Sequence, residues 1–324
     1  MKVLVVGGAG YIGSHMVKML VDTGHEVITF DNLSSGFRDA VLGGTFVQGD
    51  LADLTALDQV FEQYKPEAVM HFASYIQVGE SVQHPDKYYL NNFTNTLNLL
   101  NAMVKHQVKH FIFSSTAAVF GEPEYVPIDE VHAKNPLNPY GRSKWMVEQV
   151  LADYERAYGL KSVCLRYFNA AGADPSGLLG ERHEPETHLI PLVLQALSGR
   201  RPHISVFGRD YDTPDGTCIR DYIHIVDLCS AHLLALQKLM EIGESMRFNL
   251  GNGEGFSVQQ VIAAAERVTG KKIKIVEGPR REGDPARLVA DATLAKKVLD
   301  WQPVYTDLET IIAHAWQWET KVAH

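Results

Sequence analysis

The stretch KVLVVGGAGYIG, residues 2–13, decides the fold of this chain because a short apolar run leads directly into closely spaced glycines. An apolar run of this length next to glycines is typical of a buried parallel strand. The glycines at Gly7, Gly10 and Gly13 follow the pattern GxxGxxG, and an amphipathic segment continues to about Thr23. The first glycine permits a tight turn, the second lets the backbone approach a pyrophosphate, and the third lets helix and strand pack closely. The stretch therefore predicts a strand–turn–helix unit whose helix N-terminus binds phosphate.

An acidic residue at the end of the next strand indicates which dinucleotide this unit binds. The segment Glu26–Phe30 is predicted to form the second strand, and Asp31 follows it. A carboxylate at this position binds the adenosine ribose hydroxyls. It would repel a 2′-phosphate, so NAD is favoured over NADP. In the alternative interpretation, Asp31 only caps the turn DNLSSG.

Strand-like and helix-like segments continue to alternate through the first half of the chain. Further strands are predicted at Thr45–Gln48, Ala68–His71 and Phe111–Phe113, and helices at Leu54–Tyr64 and Asp86–Lys105. This alternation predicts an α/β fold with a Rossmann-type, doubly wound parallel sheet, in which ligands bind at the carboxyl ends of the strands. We expect an NAD-binding domain at residues 1–168, with returning segments around 217–250. Residues 169–324 would form mainly a smaller, mixed α/β lobe that binds substrate.

The run NPYGRSKWMVEQ contains a pair of residues that could carry acid–base chemistry. Tyr140 and Lys144 are four residues apart, so on a helix they lie on the same face. A phenol is a poor base at neutral pH because its pKa is about 10, and a nearby ammonium favours the phenolate. The same spacing also occurs on ordinary solvated helices. We therefore expect a catalytic base at Tyr140 only in combination with the nucleotide-binding unit.

Composition excludes several other classes of protein. The chain has 324 residues and a net charge of −9, which argues against a nucleic-acid surface. It contains three cysteines without a CxxC pair, which argues against a disulfide framework and suggests a reducing, cytoplasmic location. The 14 histidines are scattered without the spacing of a metal site, so we expect no metal. No apolar run is long enough to cross a membrane.

Several motifs together resemble the extended short-chain dehydrogenase/reductase family and, within it, the UDP-glucose 4-epimerases. The nucleotide-binding and catalytic motifs are GGAGYIG, FSSTAAVFG and PYGRSK. Later motifs are RYFNAAGADPSGLLGE, DGTCIRDYIHIVDL, FNLGNGEG and PRREGDPA. The resemblance extends from Val3 to about Trp301, and the segment DGTCIRDYIH is its most specific part.

The resemblance implies NAD as the cofactor and assigns roles to many residues. The catalytic residues would be Tyr140 as the base, Lys144 as its partner and Thr116 as a hydroxyl that bonds the 4-oxygen of the sugar. The cofactor would contact Gly7, Gly10, Tyr11, Ile12, Gly13, Asp31, Asn32, Leu33, Ser34, Ser35, Gly36, Asp50, Leu51, Phe72, Ala73, Ser74, Ile76, Asn91, Thr116, Tyr140, Lys144 and Phe168. A UDP-sugar would contact Thr116, Asn169, His188, Leu189, Ser205, Val206, Phe207, Arg220, Arg281, Asp284 and Leu288.

The implied activity is the reversible interconversion of UDP-glucose and UDP-galactose. The C4 hydroxyl is oxidised to a 4-keto intermediate on tightly bound NAD, and hydride then returns to either face. Relatives commonly form homodimers through the segments Asp86–Lys105 and Gly141–Tyr158, so we expect a homodimer. Another UDP-sugar (an N-acetylhexosamine, a pentose or a uronate) stays open as the substrate. A dehydrogenase or dehydratase is the further alternative, although Ala117 and Ala118 replace the acid–base pair that dehydratases carry after the threonine.

The chain departs from the family pattern at two positions. Many epimerases have Asn-Asn-Leu where this chain has Thr187, His188 and Leu189, which puts the uridine contact there in doubt. Leu288 occupies the position that sets the size of the sugar pocket in the family. A bulky apolar residue there predicts a preference for UDP-glucose and UDP-galactose over their N-acetyl forms.

Overall fold

A computed structural model describes residues 1–280 and 284–322 and places a seven-stranded parallel sheet at the centre of the molecule. The strands of this sheet are β1 (Lys2–Val6), β2 (Glu26–Asp31), β3 (Thr45–Gln48), β4 (Ala68–His71), β5 (His110–Thr116), β6 (Lys161–Tyr167) and β10 (Met246–Leu250). Their spatial order is β3-β2-β1-β4-β5-β6-β10, and every neighbouring pair is parallel. The sheet confirms the predicted Rossmann-type class.

Helices cover both faces of this sheet because successive strand residues point to opposite faces. Val3 and Val5 of β1 pack with the apolar sides of α1 (Tyr11–Asp22), α8 (Ile225–Ile242) and α10 (Thr293–Leu299). Leu4 and Val6 pack with α2 (Leu54–Tyr64), α5 (Asn95–Lys105) and α6 (Pro139–Tyr158). The carboxyl ends of the strands are left as the edge at which a ligand can bind.

A smaller lobe lies beyond this edge and has its own core. Its strands are β7 (Asn169–Ala171), β9 (Ile219–His224), β11 (Gly255–Ser257) and β13 (Arg287–Leu288) in one sheet, and β8 (Ile204–Phe207) and β12 (Ile275–Gly278) in another. Its core is formed with α7 (Leu189–Ser198), α9 (Val258–Thr269) and α11 (Leu308–Val322). The chain returns from β9 to the large sheet through α8 and β10.

Short elements connect the sheet to the site. These are α3 (Val78–Gln83), α4 (Pro85–Tyr88), a π-helical segment at Tyr89–Thr94, and 3₁₀ turns at Arg38–Ala40 and Ala117–Val119. Within the described residues, no helix combines the length and apolar character that crossing a bilayer requires.

Candidate active site

The glycine turn after β1 has the shape that a dinucleotide requires. A Cβ atom on Gly13 would lie 2.1 Å from the carbonyl oxygen of Gly7, so any side chain there would push helix and turn apart. At Gly10 the nearest atom to such a Cβ is 3.5 Å away, which leaves open space on that side of the turn. No side chain caps the first turn of α1, so its N–H groups are available to a pyrophosphate. The turn therefore fits the diphosphate of NAD.

Asp31 makes the capping contacts of one interpretation and keeps hydrogen-bonding capacity for the ribose contact of the other. Its Oδ2 accepts the backbone N–H of Ala9 at 2.9 Å and its Oδ1 accepts that of Leu33 at 2.8 Å. These bonds tie the loop after β2 to the glycine turn, and burial raises the pKa of the carboxyl. Each carboxylate oxygen can accept a second hydrogen bond, so the capping role leaves capacity for ribose hydroxyls.

Asp50 and Leu51, the two residues predicted to flank the adenine, have different environments in the structure. Asp50 accepts a hydrogen bond from Asn32 at 2.7 Å, which connects the loops after β2 and β3. Leu51 is 6% exposed and packs in the core between the sheet and its helices. Its side chain is therefore directed away from the predicted groove, and only its backbone remains for a cofactor.

Thr116 and Tyr140 meet at the carboxyl edge of the sheet. Thr116 ends β5, and its Oγ accepts the backbone N–H of Ala118 at 3.1 Å. Tyr140 lies in the first turn of α6 and is hydrogen-bonded to Thr116. Burial raises the pKa of Tyr140, and the hydrogen bond with Thr116 opposes that effect. The two hydroxyls predicted to act on one substrate oxygen are thus in direct contact.

Lys144 lies one turn further along α6, but its ammonium group is directed at the strand ends. It is 2% exposed, and its Nζ donates to Ser74 Oγ at 2.6 Å and to the carbonyl of Ser114 at 2.8 Å. Burial lowers the pKa of Lys144 to about 7. Burial raises the pKa of Tyr140 in this structure, and the role of Lys144 in lowering it stays a prediction.

A buried network that sequence reasoning missed holds α6 against the sheet. Glu148 is fully buried, and its Oε1 accepts hydrogen bonds from Ser115 Oγ at 2.6 Å and Arg166 Nε at 2.9 Å. Arg166 Nη2 also donates to Glu148 Oε2 at 2.6 Å. Glu148 follows Tyr140 and Lys144 at the same four-residue spacing. That spacing was the available signal, and it places a third polar group on the face of α6 that meets β5 and β6.

The predicted cofactor residues after β4 surround the same edge. The backbone N–H groups of Phe72 and Ala73 bond the carbonyl of Val6 at 2.7 and 3.2 Å, which places this turn beside the glycine turn. Ile76 is 37% exposed. Ser34 donates its N–H to Asn32 Oδ1 at 2.9 Å in the loop after β2.

Asn91 is predicted to contact the cofactor, but its neighbour carries the structural contacts. Asn92 is fully buried, accepts the N–H of Tyr75 at 2.9 Å and donates to the Tyr75 carbonyl at 2.9 Å. Asn91 donates to Asn92 Oδ1 at 3.0 Å. Sequence alone gave no signal that distinguishes these adjacent asparagines, because which of them points inward depends on the local π-helical turn.

His71 ends β4 and could be considered as a second base, but its side chain is buried in the core. It is 1% exposed, and its Nε2 lies 2.9 Å from Thr96 Oγ1. Burial, reinforced by the charge of Lys144, lowers the pKa of His71 to about 3. It is therefore a neutral core histidine.

Residues predicted to bind the nucleotide come together from β9 and the segment before β13. Arg220 Nη2 forms an ion pair with Asp284 Oδ1, and its Nη1 bonds the Ile219 carbonyl at 2.8 Å. Asn169 Nδ2 donates to the carbonyl of Asp221 at 3.0 Å. Arg281, the second predicted diphosphate ligand, lies outside the described residues.

The remaining predicted substrate residues lie at different depths. Val206 is 1% exposed and packs in the core of the small lobe, so only its backbone can reach a uracil, whereas Phe207 is 37% exposed and Ser205 is half-buried. Leu288 packs against the small apolar cluster of Val119, Phe120 and Ile128, which begins three residues after Thr116. His188 precedes α7, which begins at Leu189.

Comparisons with known proteins agree with this geometry. The sequence model of the NAD dependent epimerase/dehydratase family matches residues 3–251. The UDP-glucose 4-epimerase of Halalkalibacterium halodurans is 50% identical over 100% of this chain and 97% of that protein. The Brucella ovis UDP-glucose 4-epimerase solved with NAD superposes with a TM-score of 0.95 at 50% identity, over 97% of both chains. The Bifidobacterium longum UDP-glucose 4-epimerase solved with NAD⁺ and UDP gives a TM-score of 0.93 at 40% identity, over 99% of this chain and 98% of that one. With matches of this strength along its whole length, the chain belongs to the NAD-dependent epimerase/dehydratase family, among its UDP-glucose 4-epimerases.

Proposed function

We propose that this protein interconverts UDP-glucose and UDP-galactose. The observation that carries the proposal is the contact of Tyr140 with Thr116 at the end of β5, beside the buried Lys144. A base and a second hydroxyl in contact can share one substrate oxygen and move its proton. The glycine turn lies at the same edge of this sheet. A nicotinamide nucleotide bound there would lie next to the carbon that carries the substrate oxygen.

The residues around the glycine turn suit NAD. The N–H groups at the start of α1 would bind the pyrophosphate, and Asp31 would bind the adenosine ribose. Lys144 would donate to the nicotinamide ribose, and Ser74 would hold that ammonium in place. When bound, NAD supplies a hydride acceptor that gives the hydride back within the same turnover.

The protein's own groups would manage the proton and the orientation of the sugar. Tyr140 would accept the 4-hydroxyl proton while Thr116 bonds the same oxygen and keeps it in reach. General base catalysis of this kind is typically worth about 10²–10⁴-fold in rate. Inversion requires the keto sugar to turn over, so the molecule must be held by its nucleotide.

The small lobe offers the groups for that anchor. Arg220 and Arg281 would grip the diphosphate, because a guanidinium matches phosphate oxygens bidentately. Asp284 would bind the uridine ribose, which requires its ion pair with Arg220 to open or be shared. Asn169 would contact the phosphate region. The backbone around Ser205 and Phe207 would hold the uracil.

We assign cofactor binding to residues 1–168 and the returning segments around 217–250, and substrate binding mainly to 169–324.

We also propose a homodimer in the cytoplasm. Leu90 and Tyr158, in the two segments expected at the interface, expose 59% and 53% of their surface. Light scattering should give twice the mass of one chain, and Leu90→Glu should return the mass to that of a monomer. A monomeric wild-type protein would contradict the dimer.

The test of the activity is to mix the purified protein with UDP-galactose without added cofactor and to assay UDP-glucose. Product formation would indicate a retained NAD and a closed redox cycle. Net reduction of added NAD by a UDP-sugar would instead identify a dehydrogenase. Failure with both hexoses but turnover of a UDP-pentose or UDP-uronate would move the substrate to that class.

A further inference from the structure

Four side chains of types that can bind a metal converge in the loop before α7, and none of them has a role in the chemical steps proposed above, although His188 is a predicted nucleotide contact. They are Glu181, His183, Glu186 and His188, and one ligand atom from each lies within 4.8 Å of all the others. Glu181 and Glu186 are 5% and 4% exposed as side chains. Buried carboxylates are costly unless they are paired or bind a metal. The loop therefore places buried negative charge beside two imidazoles, which can balance it as protonated partners or can share a cation with it as ligands.

The distances from His183 to the two carboxylates fit ligands around an ion better than ordinary hydrogen bonds. His183 Nδ1 lies 3.3 Å from Glu186 Oε2 and 3.4 Å from Glu181 Oε1. Both exceed the usual N–H···O range of about 2.7–3.2 Å, and one N–H cannot serve both oxygens well. In a tetrahedral site with bonds of about 2.0–2.1 Å, neighbouring ligand atoms are roughly 3.3–3.4 Å apart. The two distances from His183 Nδ1 to the carboxylate oxygens therefore match the spacing between ligand atoms in a tetrahedral site.

The surrounding contacts orient the ligand atoms toward one point. Glu186 Oε1 accepts the backbone N–H groups of Thr187 and His188 at 2.7 and 2.9 Å, which leaves Oε2 directed into the cluster. Trp318 Nε1 donates to the carbonyl of Glu181 at 3.1 Å and fixes that end of the loop. Outer contacts such as those to Glu186 Oε1 and to the Glu181 carbonyl are what hold metal ligands in place in metalloproteins. His188 Nδ1 contacts Glu181 Oε1 directly, so these two atoms would move apart on binding one ion.

We propose that Glu181, His183, Glu186 and His188 form a binding site for Zn²⁺ or a similar first-row transition-metal ion. Two imidazoles and two carboxylates suit zinc and disfavour Mg²⁺ and Ca²⁺, which prefer oxygen ligands alone. This proposal departs from the expectation that no metal is bound: His183 and His188 are separated by four residues, a spacing that also occurs between zinc ligands.

The ion would have a structural role, because four protein ligands fill a tetrahedral shell. It would pin the loop to the start of α7, and His183 stacks edge-on to the Tyr11 ring at 6.2 Å, at the glycine turn. The site would therefore connect the cofactor turn to the substrate lobe. The proposal does not depend on which sugar is the substrate.

The test is calorimetric titration of untagged, chelator-treated protein carrying its cofactor with ZnCl₂, and separately with MgCl₂. We expect one Zn²⁺ per chain with a dissociation constant in the micromolar range or tighter, and no binding of Mg²⁺ at the same concentrations. His183→Asn should weaken Zn²⁺ binding by about tenfold or more. The exposed His84 lies outside the cluster, so His84→Asn serves as the control and should bind Zn²⁺ like the wild type.

A second measurement does not rely on a variant folding. Co²⁺ in a tetrahedral site gives intense visible absorption bands, whereas octahedral Co²⁺ on a protein surface absorbs weakly. Intense bands in wild-type protein that disappear when Zn²⁺ is added support the site. Weak bands, no saturable binding, or equal binding by His183→Asn and wild type would overturn the proposal and leave the cluster as a network of shared protons.

Discussion

The raised pKa of Tyr140 is unfavourable for a base, so neighbouring groups must stabilise its phenolate. Burial raises its pKa, and only the hydrogen bond with Thr116 works in the other direction. A phenol with a pKa of 10 or more is ionised in about one molecule in a thousand, or fewer, at pH 7. Lys144 is itself poised, with a pKa of about 7 because of burial. Positive charge from Lys144 and from the nicotinamide ring, once both are at the substrate oxygen, would supply the missing stabilisation.

Removing the phenolic hydroxyl should separate catalysis from cofactor binding. We expect Tyr140→Phe to lower kcat by about 10²–10⁴-fold, since it removes the base, while NAD stays bound. The measurement is turnover of UDP-galactose together with the NAD content of the purified variant. Tyr64→Phe makes the same change at the end of α2, outside the predicted site and the proposed interface, and should leave kcat unchanged. A near-normal rate in Tyr140→Phe would refute the base assignment.

The size of the sugar pocket should depend on Leu288. It packs against the cluster of Val119, Phe120 and Ile128, which begins three residues after Thr116, so a smaller residue should open space on that side of the predicted sugar pocket. We expect Leu288→Ala to increase kcat/KM for UDP-N-acetylglucosamine relative to UDP-glucose by about tenfold, the worth of a few methylenes in a pocket. Leu294→Ala, on α10 and exposed, should not change the ratio. Comparable kcat/KM values of the wild-type protein for UDP-glucose and UDP-N-acetylglucosamine would contradict the hypothesis that Leu288 restricts the pocket.

At the scale of elements, the site depends on the position of α6 relative to β5. The helix carries Tyr140 and Lys144, and the strand carries Thr116. The buried contacts of Glu148 with Ser115 and Arg166 fix the two elements side by side. Breaking a buried ion pair by removing one partner is strongly destabilising, by about 3–5 kcal/mol, so these residues position the site through the fold and not through contact with substrate.

The start of α6 offers a milder change. Asn138 caps the helix, and its side chain accepts the N–H of Gly141 at 2.8 Å. Asn138→Ala should lower the free energy of unfolding by about 1 kcal/mol and also reduce kcat, because Tyr140 lies in the first turn. Asp53→Ala removes the equivalent cap of α2, away from the catalytic residues. Denaturant unfolding should show a similar loss in both variants. A kcat loss equal in both would contradict a positional role.

At the scale of the whole molecule, buried histidines should make the protein sensitive to acid. Burial lowers the pKa of His71 and His224 to about 3 and that of His15 and His232 to about 4. Each folded value lies below the unfolded value of about 6.5, so each contribution is complete above that pH and is lost as the pH falls toward the folded value. Asp221 opposes this trend, since burial raises its pKa to about 6 and acid removes a buried charge.

Burial also raises the pKa of Asp31, Glu130 and Asp227, whereas the pKa of hydrogen-bonded carboxyls such as Asp39 and Asp174 is lowered. The histidines and the carboxyls with a lowered pKa both lose stabilisation in acid, so stability should fall below about pH 6. Each histidine contributes about 1.4 kcal/mol per pH unit in its window. Urea unfolding at about pH 7.5, 6 and 5 should show a falling free energy of unfolding. His71→Gln should reduce proton uptake on unfolding at about pH 5 by about one proton, whereas exposed His84→Gln should not change it. A flat profile would mean that these histidines are hydrated when folded.

The sequence by itself determined the features that depend on local pattern. The strand and glycine turn at residues 2–13, the alternation of strands and helices, and the Tyr140–Lys144 pair all follow from spacing along a few turns of chain. The bounds are close: β1 is Lys2–Val6 as predicted, and β5 runs to Thr116 instead of ending at Phe113. The strand extends because Ser114, Ser115 and Thr116 pair with β6, which no local pattern reveals.

Only the tertiary structure decided which groups face one another across the chain. Lys144 points to Ser74 and Ser114, Arg220 pairs with Asp284, and the side chains of Leu51 and Val206 turn into cores instead of toward ligands. The cluster of Glu181, His183, Glu186 and His188 likewise depends on the fold of a loop without periodicity. The physical reason is that periodicity fixes the face of an element, whereas the partner of that face is fixed by packing over long sequence separations.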